Sequence, residues 1–455
     1  MASPDIHPPL DSYDLEVETL IIGAGACGLV AGLSAHGAGQ DVLIVEADAV
    51  PTGSTALSAG LIPAAGTRFQ RAIGIEDTAQ IFAQDIQDKA SHENDPALVG
   101  VLADGAAGVI EWLADTHGLP FTLVDNFDYP GHQHKRMHGL PTRSGAELVD
   151  ALRARVDTLG VPLVCNRRAV TLHLDGKTVD GVTLARPDGA AETVRTQRVV
   201  LACNGFGGNR TMVRDHMPDI ADALWFGHDG NTGDAIAWGQ TAGAQLKHLG
   251  AYQGHGNVAY PHGILITWAV ITQGGFQVNT NGERFWNESQ GYSEAARHVL
   301  RQPEGVAWTI FDTRIADVAR QFADFKEAEK QNALVHAPDI PSLAKMLGLE
   351  ADALTRTFDQ IPASGTDALG RSWDTAPSRT DLVAVKVTGA LFHTQGGLVI
   401  DPETAKVRHT DGDTFANLYA AGGAACGVSG AGDSGYLSGN GLLAAVVLGY
   451  IAGRC

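Results

Sequence analysis

The sequence has few cysteines, and they fall in no pattern that would give them a shared role. Five occur among 455 residues without a CxxC pair, at Cys27, Cys165, Cys203, Cys426 and Cys455. We therefore expect neither a disulfide framework nor a zinc or iron–sulfur site. Residues 132–138 contain three histidines, but basic residues are interleaved and no Cys or acidic ligand lies nearby. No metal site is predicted.

Long apolar runs and an excess of positive charge are also missing. No apolar run reaches the length needed to span a membrane. The N-terminal residues lack a basic region followed by an apolar stretch, so no signal peptide is expected. The chain has 32 Lys and Arg against 52 Asp and Glu, a net charge of −20, which argues against a nucleic-acid partner. These absences predict a cytoplasmic protein without a membrane span.

A glycine motif near the N-terminus is the strongest positive signal. An apolar strand, residues 20–22, precedes Gly23, Gly25 and Gly28 at GxGxxG spacing, and a small-residue helix leads to a second strand that ends at Glu46. The glycines permit a tight turn, a close approach to a pyrophosphate and close helix packing. A carboxylate at the second strand end can accept ribose hydroxyls. Dinucleotide binding is favoured over the alternative of a flexible loop.

The length and the later glycine turns predict more than one domain. A chain of 455 residues is too long for one compact core. Strand-to-glycine elements recur at 199–209 and 417–423, so nucleotide-binding features occupy both ends of the chain. We predict a discontinuous cofactor domain, 1–250 and 385–455, with an inserted capping domain, 251–384.

Local patterns predict several further elements. Apolar residues at helical spacing favour helices within 76–118, and further helices are predicted over 144–159, 235–243 and 442–452. The first eighteen residues are polar and contain proline, and they are predicted to form a loose arm.

Taken together, these segments resemble a known family. GAGACGLVAG…VLIVEA, GSTALSAG, VVLACNGFGGN, GNTGDAIAWGQTAGA, FQVNTNGERFWNE, HTQGGLVID and NLYAAGGAACGV…GNGLLAAVVLGYIAG are similar to the fumarate reductase/succinate dehydrogenase flavoprotein superfamily. The likeness covers nearly the whole chain and is nearest to the 3-ketosteroid dehydrogenase-like desaturases. It implies an α/β fold: a Rossmann-like FAD-binding domain of the GR2 type, interrupted by an α+β capping domain, with substrate between the two.

The resemblance also implies how FAD is held. Family members that bond FAD covalently have a histidine at the head of the segment that matches 53–60, and none occurs here, so non-covalent FAD is expected. The implied FAD-binding residues are Gly23, Gly25, Ala26, Gly28, Glu46, Ala47, Ser54, Thr55, Ser58, Gly60, Ala169, Ala202, Asn204, Gly205, Asp234, Gly422, Gly423, Gly439, Asn440 and Leu442.

Two departures from the family pattern bear on the substrate. Fumarate reductases have two active-site histidines, which match His255 and His393, and two arginines, whose positions are occupied here by Tyr292 and Tyr436. Without the guanidinium forks, a small dicarboxylate loses its bidentate anchors. Fumarate reductase activity is therefore not expected. Tyr436 followed by Ser438 resembles the Δ4-type ketosteroid dehydrogenases instead.

These residues predict an FAD-dependent dehydrogenase, or desaturase, that acts on a CH–CH group next to a carbonyl. The substrate would be a small molecule, a cyclic ketone or keto acid, and the hydride would pass to flavin N5. A phenol can stabilise enolate character or take the α-proton, although a base near neutrality needs a lowered pKa or a relay partner. The predicted catalytic set is Tyr292, Tyr436, His393, His255 and Ser438.

Several alternatives stay open at this stage. His393 would either donate to a carbonyl or pair with a carboxylate, and Arg136, His138 or Arg143 could reach a carboxylate. The chain has no CxxCH haem motif and no second GxGxxG for a nicotinamide, which favours an external electron acceptor: oxygen, a quinone or a carrier protein. The rival functions are an ene-reductase, a carboxylate dehydrogenase or reductase of the fumarate reductase type, and a catalytically silent flavoprotein.

Overall fold

The computed structural model describes residues 4–126 and 129–455, which form two compact units. The first comprises Met1–His216, Gly227–Tyr252 and His393–Cys455, and the second comprises Met217–Phe226 and Gln253–Phe392. The second unit shares residues 253–384 with the predicted cap. Its role as a cap stays a prediction.

The strands and helices alternate through the first part of the chain, as expected for an α/β fold. The strands are β1 (Asp5–His7), β2 (Leu15–Ile22), β3 (Val42–Val45), β4 (Ile62–Pro63), β5 (Thr122–Leu123), β6 (Met137–Gly139), β7 (Leu163–Val164), β8 (Arg168–Asp175), β9 (Thr178–Ala185), β10 (Ala191–Leu201), β11 (Leu224–Trp225), β12 (Leu246–Lys247), β13 (Tyr252–Ala259), β14 (Ile264–Leu265), β15 (Phe276–Val278), β16 (Val306–Asp312), β17 (Leu334–Asp339), β18 (Gly365–Thr366), β19 (Ser372–Trp373), β20 (Thr380–Thr394), β21 (Gly397–Leu398), β22 (Lys406–Arg408) and β23 (Thr414–Ala420). The helices are α1 (Ala26–Gly37), α2 (Gly53–Ala56), α3 (Arg68–Arg71), α4 (Ala79–Lys89), α5 (Pro96–Asp115), α6 (Gly145–Thr158), α7 (Arg210–His216), α8 (Asp234–Ala242), α9 (Ala269–Thr272), α10 (Tyr292–Leu300), α11 (Thr313–Ala319), α12 (Ala323–Lys330), α13 (Ile340–Leu347), α14 (Ala351–Asp359) and α15 (Asn440–Arg454).

The main sheet of the first unit has a parallel core in the order β23, β10, β2, β3 and β7. Its apolar strand ends are buried because helices cover the sheet, which is the usual state of parallel strands. β8 and β9 extend the sheet from the start of β10 as antiparallel strands. The predicted Rossmann-like arrangement is confirmed.

Helices α1 and α15 pack very closely, which brings the two ends of the chain together. A side-chain carbon added at Gly449 would lie 2.6 Å from the Cys27 carbonyl oxygen, and one at Gly453 would lie 2.3 Å from that of Ala31. Only glycine fits at these contacts. The helices predicted over 144–159, 235–243 and 442–452 are confirmed within one or two residues at each end, and α4 and α5 are the helices within 76–118.

The prediction of a loose N-terminal arm is wrong for the described residues. β1 pairs in parallel with β8, and β2 begins at Leu15 rather than after residue 18. The Tyr13 ring packs directly on Gly181. A side-chain carbon added at Gly181 would lie only 2.3 Å from that ring. The arm is ordered because strand pairing satisfies its backbone, whatever the polarity of its side chains.

Within the described residues, α5 is the one helix long and apolar enough to cross a membrane, and 44% of that stretch is buried. It packs against α4 and α15, and such packing is typical of a core helix. Among the described residues, no group of three or more His, Cys, Asp or Glu side chains could hold a metal ion.

The second unit is built on a sheet in the order β14, β13, β20, β16 and β15. A buried ionic network ties its loops together. Arg284 binds both Glu288, at 2.6 and 3.0 Å, and Asp367, at 2.6 Å. Arg371 donates to Glu288 at 3.1 Å and lies 3.9 Å from the centre of the Trp373 ring. Glu288 lies four residues before Tyr292, the first residue of α10, so the network anchors the segment that leads into that helix.

The network predicts a loss of stability in acid. Burial alone raises the pKa of Asp367, but hydrogen bonds from Trp373 and Arg284 outweigh it and lower the pKa from 3.8 to about 2. The Asp367 carboxylate therefore stabilises the fold above pH 3.8, and that contribution is lost as the pH falls towards 2. The difference in unfolding free energy between the parent and Asp367→Asn should shrink over this window, as measured by denaturant titration at each pH.

An exposed pair in the same unit provides the control. Asp359 and Arg379 are 57% and 51% exposed, so Asp359→Asn should change stability little at any pH. An equally large, pH-independent loss in both variants would contradict the assignment to Asp367.

Candidate active site

The glycine motif forms the turn that the sequence predicts. Gly23 follows β2 with a φ of +107°, and a side chain there would meet the Ala202 carbonyl oxygen at 2.6 Å. A side chain on Gly28 would lie 1.8 Å from the Gly23 oxygen. Helix α1 begins at Ala26, whose N–H donates to Thr55 Oγ1 at 3.1 Å. Because no side chain intervenes at the glycines, a pyrophosphate could approach the backbone N–H groups of the turn and of the helix N-terminus closely.

Glu46 lies at the end of β3, beside the glycine turn. Its Oε2 accepts the Ala24 N–H at 2.8 Å and its Oε1 accepts the Asp48 N–H at 3.0 Å. An ionised carboxylate has about four acceptor sites, so each oxygen can still accept a ribose hydroxyl. The neighbouring predicted residue, Ala47, is exposed.

A set of hydroxyl and amide side chains meets next to the motif. Ser54 Oγ accepts from Asn204 Nδ2 at 3.0 Å and from Asn231 Nδ2 at 2.8 Å. A side chain on Gly423 would meet Asn204 Oδ1 at 2.0 Å, so the predicted glycine turns near 204 and 422 lie together. Asn231 was missed as a site residue, although the polar turn that contains it is apparent in the sequence.

Other predicted cofactor residues are engaged with the protein. Asp234, at the start of α8, accepts from Arg168 at 2.6 Å and from Thr232 at 2.8 Å. Ser58 donates to the Thr55 carbonyl at 2.7 Å and accepts the Gly60 N–H at 3.1 Å. Ala169 is the second residue of β8, Ala202 directly follows β10, and Gly205 lies in the turn beyond it. Arg168 is a further residue that the sequence did not indicate.

Asn440 provides a direct test of whether these residues fit FAD. It is the first residue of α15, it is 1% exposed, and neither Oδ1 nor Nδ2 has a hydrogen-bond partner in the described part of the chain. An unpaired buried carboxamide is costly. A flat ring system with alternating donors and acceptors, such as isoalloxazine, would satisfy both atoms. Gly439 precedes it and Leu442 follows in the same first turn, so the residues present fit the cofactor.

His393 and Tyr436 form the polar centre of the first unit's candidate site. Their rings meet edge to face with centroids 5.4 Å apart. A side chain on Gly441 would lie 3.2 Å from His393 Nε2 and 3.8 Å from the Tyr436 hydroxyl. The first turn of α15 therefore lies against both side chains.

Burial keeps both groups uncharged at neutral pH. Desolvation lowers the pKa of His393 to about 4, against the opposing effect of the Thr394 backbone. Desolvation also raises the pKa of Tyr436 to about 12, against the opposing effect of backbone hydrogen bonds at Gly441 and Gly439. The lowered tyrosine pKa that a base would need is thus absent at Tyr436. A protonated phenol that accepts backbone N–H groups is suited to donate a hydrogen bond.

Ser438 is buried, and His132, which was not among the predicted site residues, contacts its backbone. The Ser438 carbonyl lies 3.0 Å from His132 Nε2. Burial and the Arg136 charge lower the pKa of His132 to about 4, so its neutral ring donates to that carbonyl. His132 therefore supports the loop before Gly439 rather than a metal.

The second unit holds the other predicted pair. The His255 ring stacks on Tyr292 at 5.1 Å and on Phe392 at 5.4 Å, and it meets Trp268 edge to face at 5.7 Å. Burial lowers the pKa of His255 to about 3. Its Nδ1 accepts the Asn257 N–H at 3.2 Å, so the neutral ring carries its proton on Nε2.

Tyr292 is positioned by the start of α10. Gly291 precedes it with a φ of +136°, which favours glycine. Ser293 Oγ accepts the Gly254 N–H at 2.9 Å, which ties the helix to the strand that carries His255. The structure therefore brings Tyr292 and His255 together.

The basic residues of the histidine-rich loop are committed to protein partners. Arg136 binds Asp77 and Asp85, His138 Nε2 lies 2.9 Å from Thr67 Oγ1, and Arg143 donates to the Gly139 carbonyl at 2.7 Å and to Thr122 Oγ1 at 2.7 Å. The possibility that these side chains bind a substrate carboxylate is not supported.

The geometry at Glu46 yields a prediction for cofactor affinity. Glu46→Gln keeps the size of the side chain but removes the charge and one acceptor that face the glycine turn. The dissociation constant for FAD should rise about tenfold, which corresponds to ~1.4 kcal/mol. Titration of the apoprotein with FAD by flavin fluorescence measures it. Glu18→Gln, the same change on β2, should leave the constant unaltered; an equal effect of both variants would contradict the role of Glu46.

Comparison with known proteins places this geometry among flavoproteins. Residues 18–442 match the family described as FAD binding domain. A probable fumarate reductase from Shewanella frigidimarina is 30% identical over 442 residues, covering 96% of this chain and 74% of that protein. The 4-oxocyclohexanecarboxylate 2-dehydrogenase of Sinomonas cyclohexanicum is 26% identical, covering 99% of this chain and 93% of its own.

A solved structure extends the match to the whole fold. The 3-ketosteroid-Δ4-(5α)-dehydrogenase of Rhodococcus jostii superposes with a TM-score of 0.79 and covers 99% of both chains. Its sequence identity is 24%, so this likeness concerns the fold alone.

Proposed function

Because this chain belongs to the FAD-binding fumarate reductase/succinate dehydrogenase flavoprotein superfamily, we propose that it desaturates the bond next to the carbonyl of a cyclic ketone or keto acid. It is an FAD-dependent oxidoreductase of the kind that acts on CH–CH groups. The substrate class, the direction of the reaction and the residue roles below are parts of the proposal.

The observation that carries the proposal is the uncharged pair of His393 and Tyr436. Their pKa values of about 4 and about 12 leave one neutral imidazole and one neutral phenol at pH 7. Neutral donors suit a ketone oxygen, which gains partial negative charge only as the α-proton leaves. A small dicarboxylate would instead require cations. The name of the 4-oxocyclohexanecarboxylate dehydrogenase relative is consistent with such a substrate.

The residues then take distinct roles. Bound FAD would supply the acceptor for the hydride. Tyr436 donates a hydrogen bond to the carbonyl oxygen, since burial keeps its phenol protonated. His393 donates a second hydrogen bond to the same oxygen. Tyr292 is assigned to the α-proton, with His255 stacked on its ring. Ser438 and the backbone of Gly439 and Gly441 orient Tyr436.

We propose that FAD is held non-covalently by the glycine turn, Glu46, the Ser54 cluster and Asn440. The electrons would then leave to an external acceptor, which is oxygen, a quinone or a carrier protein. Acid precipitation of the holoenzyme should release all of the yellow colour into the supernatant. Flavin that stays with the precipitate would contradict this part.

A second function, reduction of a C=C bond in an unsaturated acid, is favoured by one specific observation. The relative from S. frigidimarina is a probable fumarate reductase, and both family histidines have counterparts here. In this alternative the imidazoles contact the acid, and the electron flow is reversed.

A turnover assay separates the two functions. The holoenzyme is incubated with a dye acceptor and either 4-oxocyclohexanecarboxylate, a 3-ketosteroid or succinate, and products are identified by mass. We expect loss of two hydrogens from a ketone and no reaction with succinate. A parallel incubation contains fumarate and a reduced dye. Oxidation of that dye, without ketone desaturation in the first assay, would overturn the proposal in favour of the reductase.

A further inference from the structure

The histidine of the candidate site is held by two side chains that no sequence motif indicated. Gln395 Nε2 lies 2.8 Å from His393 Nδ1, and Ser429 Oγ donates to Gln395 Oε1 at 2.7 Å. Gln395 and Ser429 are 8% and 1% exposed. From these two buried side chains the hydrogen bonds lead to one specific ring nitrogen of His393, which is itself partly buried.

The Gln395 amide lies with its NH₂ group towards the histidine and its oxygen towards the serine. Nε2 faces His393 Nδ1 at 2.8 Å and the Thr394 carbonyl at 3.4 Å. Oε1 accepts from the Ser429 hydroxyl, which needs the amide oxygen on that side. The NH₂ group has only donors to offer, so His393 Nδ1 must accept. A neutral imidazole that accepts at Nδ1 has its proton on Nε2.

The surroundings of the ring are consistent with a single neutral donor. Burial lowers the pKa of His393, so the ring is neutral, and Tyr436 is a titratable side chain in ring contact with it. Nε2 lies on the side of Gly441, where an added side-chain carbon would be 3.2 Å away. The Nε2–H group therefore points towards the first turn of α15, beside the Tyr436 hydroxyl.

We propose that Gln395, anchored by Ser429, is a positioning residue that fixes His393 as an Nε2–H donor and thereby selects a neutral carbonyl oxygen over a carboxylate. The selectivity rests on the proposed function, whereas the fixed tautomer does not. A neutral N–H can share one hydrogen bond with a ketone oxygen. The neutral N–H carries no charge that could pair with a carboxylate. Burial of a carboxylate without a countercharge costs free energy.

Gln395→Glu tests the selectivity through a pH profile. The introduced carboxylate accepts from Nδ1–H, so it raises the pKa of His393. Above that pKa the neutral ring keeps its proton on Nδ1, and Nε2 loses its donor. In the variant, kcat/KM for a ketone should therefore fall about 100-fold as the pH rises through the new pKa. The parent should show no such step, because its ring is already neutral.

Nitrogen-15 NMR of histidine-labelled holoenzyme reads the tautomer directly. The parent should show a pyridine-type Nδ1 and a pyrrole-type Nε2, assigned by the loss of these signals in His393→Gln. Gln395→Glu should exchange the two types or give an imidazolium. Ser429→Ala should broaden the signals, since the amide loses its anchor. Gln197→Glu, which adds the same charge at an exposed site, should change neither the spectrum nor the profile.

Binding titrations keep the two proposals distinguishable. A cyclic ketone and the matching cyclohexane carboxylate are titrated into the holoenzyme and followed by the flavin spectrum. The parent should prefer the ketone, and Gln395→Glu at low pH should shift the preference at least tenfold towards the acid. If no ketone is turned over while these results hold, the proposed function fails and the role of Gln395 stands.

Two results would overturn the role of Gln395. One is a proton on Nδ1 in the parent; the other is a parent that binds the acid more tightly than the ketone. Should Gln395→Glu fail to fold, Gln395→Met removes the amide donor without adding charge. It should then show a mixture of tautomers.

Discussion

Tyr436→Phe should lower kcat/KM for a ketone substrate by about 10²–10³-fold. The change removes only the hydroxyl that we assign to the carbonyl oxygen. Burial raises the pKa of this phenol to about 12, so the parent presents a donor, not a base, between pH 6 and pH 9. The loss should therefore be nearly the same from pH 6 to pH 9, as measured by steady-state assays with a dye acceptor.

Tyr450 provides the matched control. It lies on α15, the helix whose first turn contacts Tyr436. Tyr450→Phe makes the same chemical change near the end of α15, where the hydroxyl pairs with Arg454. It should leave kcat/KM within about twofold. Both variants should retain FAD. Full activity of Tyr436→Phe would remove the carbonyl contact from the mechanism, and loss of FAD would instead make Tyr436 a cofactor residue.

Arg136→Met should lower the free energy of unfolding by about 3–5 kcal/mol. Arg136 binds Asp77 through two hydrogen bonds, at 2.9 and 3.0 Å, and Asp85 through one at 2.5 Å. The Arg136 and Asp77 side chains are 0% exposed and that of Asp85 is 4% exposed. Removal of the Arg136 guanidinium leaves the Asp77 and Asp85 carboxylates buried without this countercharge. An uncompensated buried charge strongly destabilises a fold.

Denaturant unfolding of the holoenzyme measures this effect against an exposed pair. Arg379→Met breaks the pair with Asp359, where both side chains are more than half exposed, and should cost at most about 1 kcal/mol. A stable Arg136→Met variant would show that Asp77 and Asp85 find other partners. Gln70 and Gln133, which already donate to them at 2.9 and 2.6 Å, are the candidates.

The local parts of the site could be predicted because short-range pattern determines them. The spacing of Gly23, Gly25 and Gly28 between two apolar strands already specifies a turn and a helix N-terminus. Glu46 follows from its place at a strand end. The structure puts all four where the pattern indicates, since each depends only on residues within about one βαβ unit.

The missing parts are contacts between residues far apart in the chain. Asn231 meets Ser54 across 177 residues, and His132 meets Ser438 across 306. Nothing in the local sequence shows that Asn231 and His132 reach these particular partners. The loose-arm prediction failed for the same reason, because Asp5–His7 finds its partner strand more than 160 residues later.

The pKa of Tyr436 illustrates a different limit. Its place in the sequence predicts a tyrosine in the site, but whether that phenol is an acid or a base depends on burial. Tyr436 is 7% exposed, and desolvation is what raises its pKa. Residue type and spacing carry no information on this quantity.

Anaerobic bleaching of the bound flavin tests the central claim most directly. The yellow holoenzyme is mixed, without oxygen, with 3-ketosteroids, 4-oxocyclohexanecarboxylate and succinate in separate experiments, and the oxidised-flavin band is followed by stopped flow. We predict rapid loss of the band with a cyclic ketone and none with succinate. Bleaching by succinate alone would contradict the proposed ketone substrate and the donor role that we assign to Tyr436 and His393.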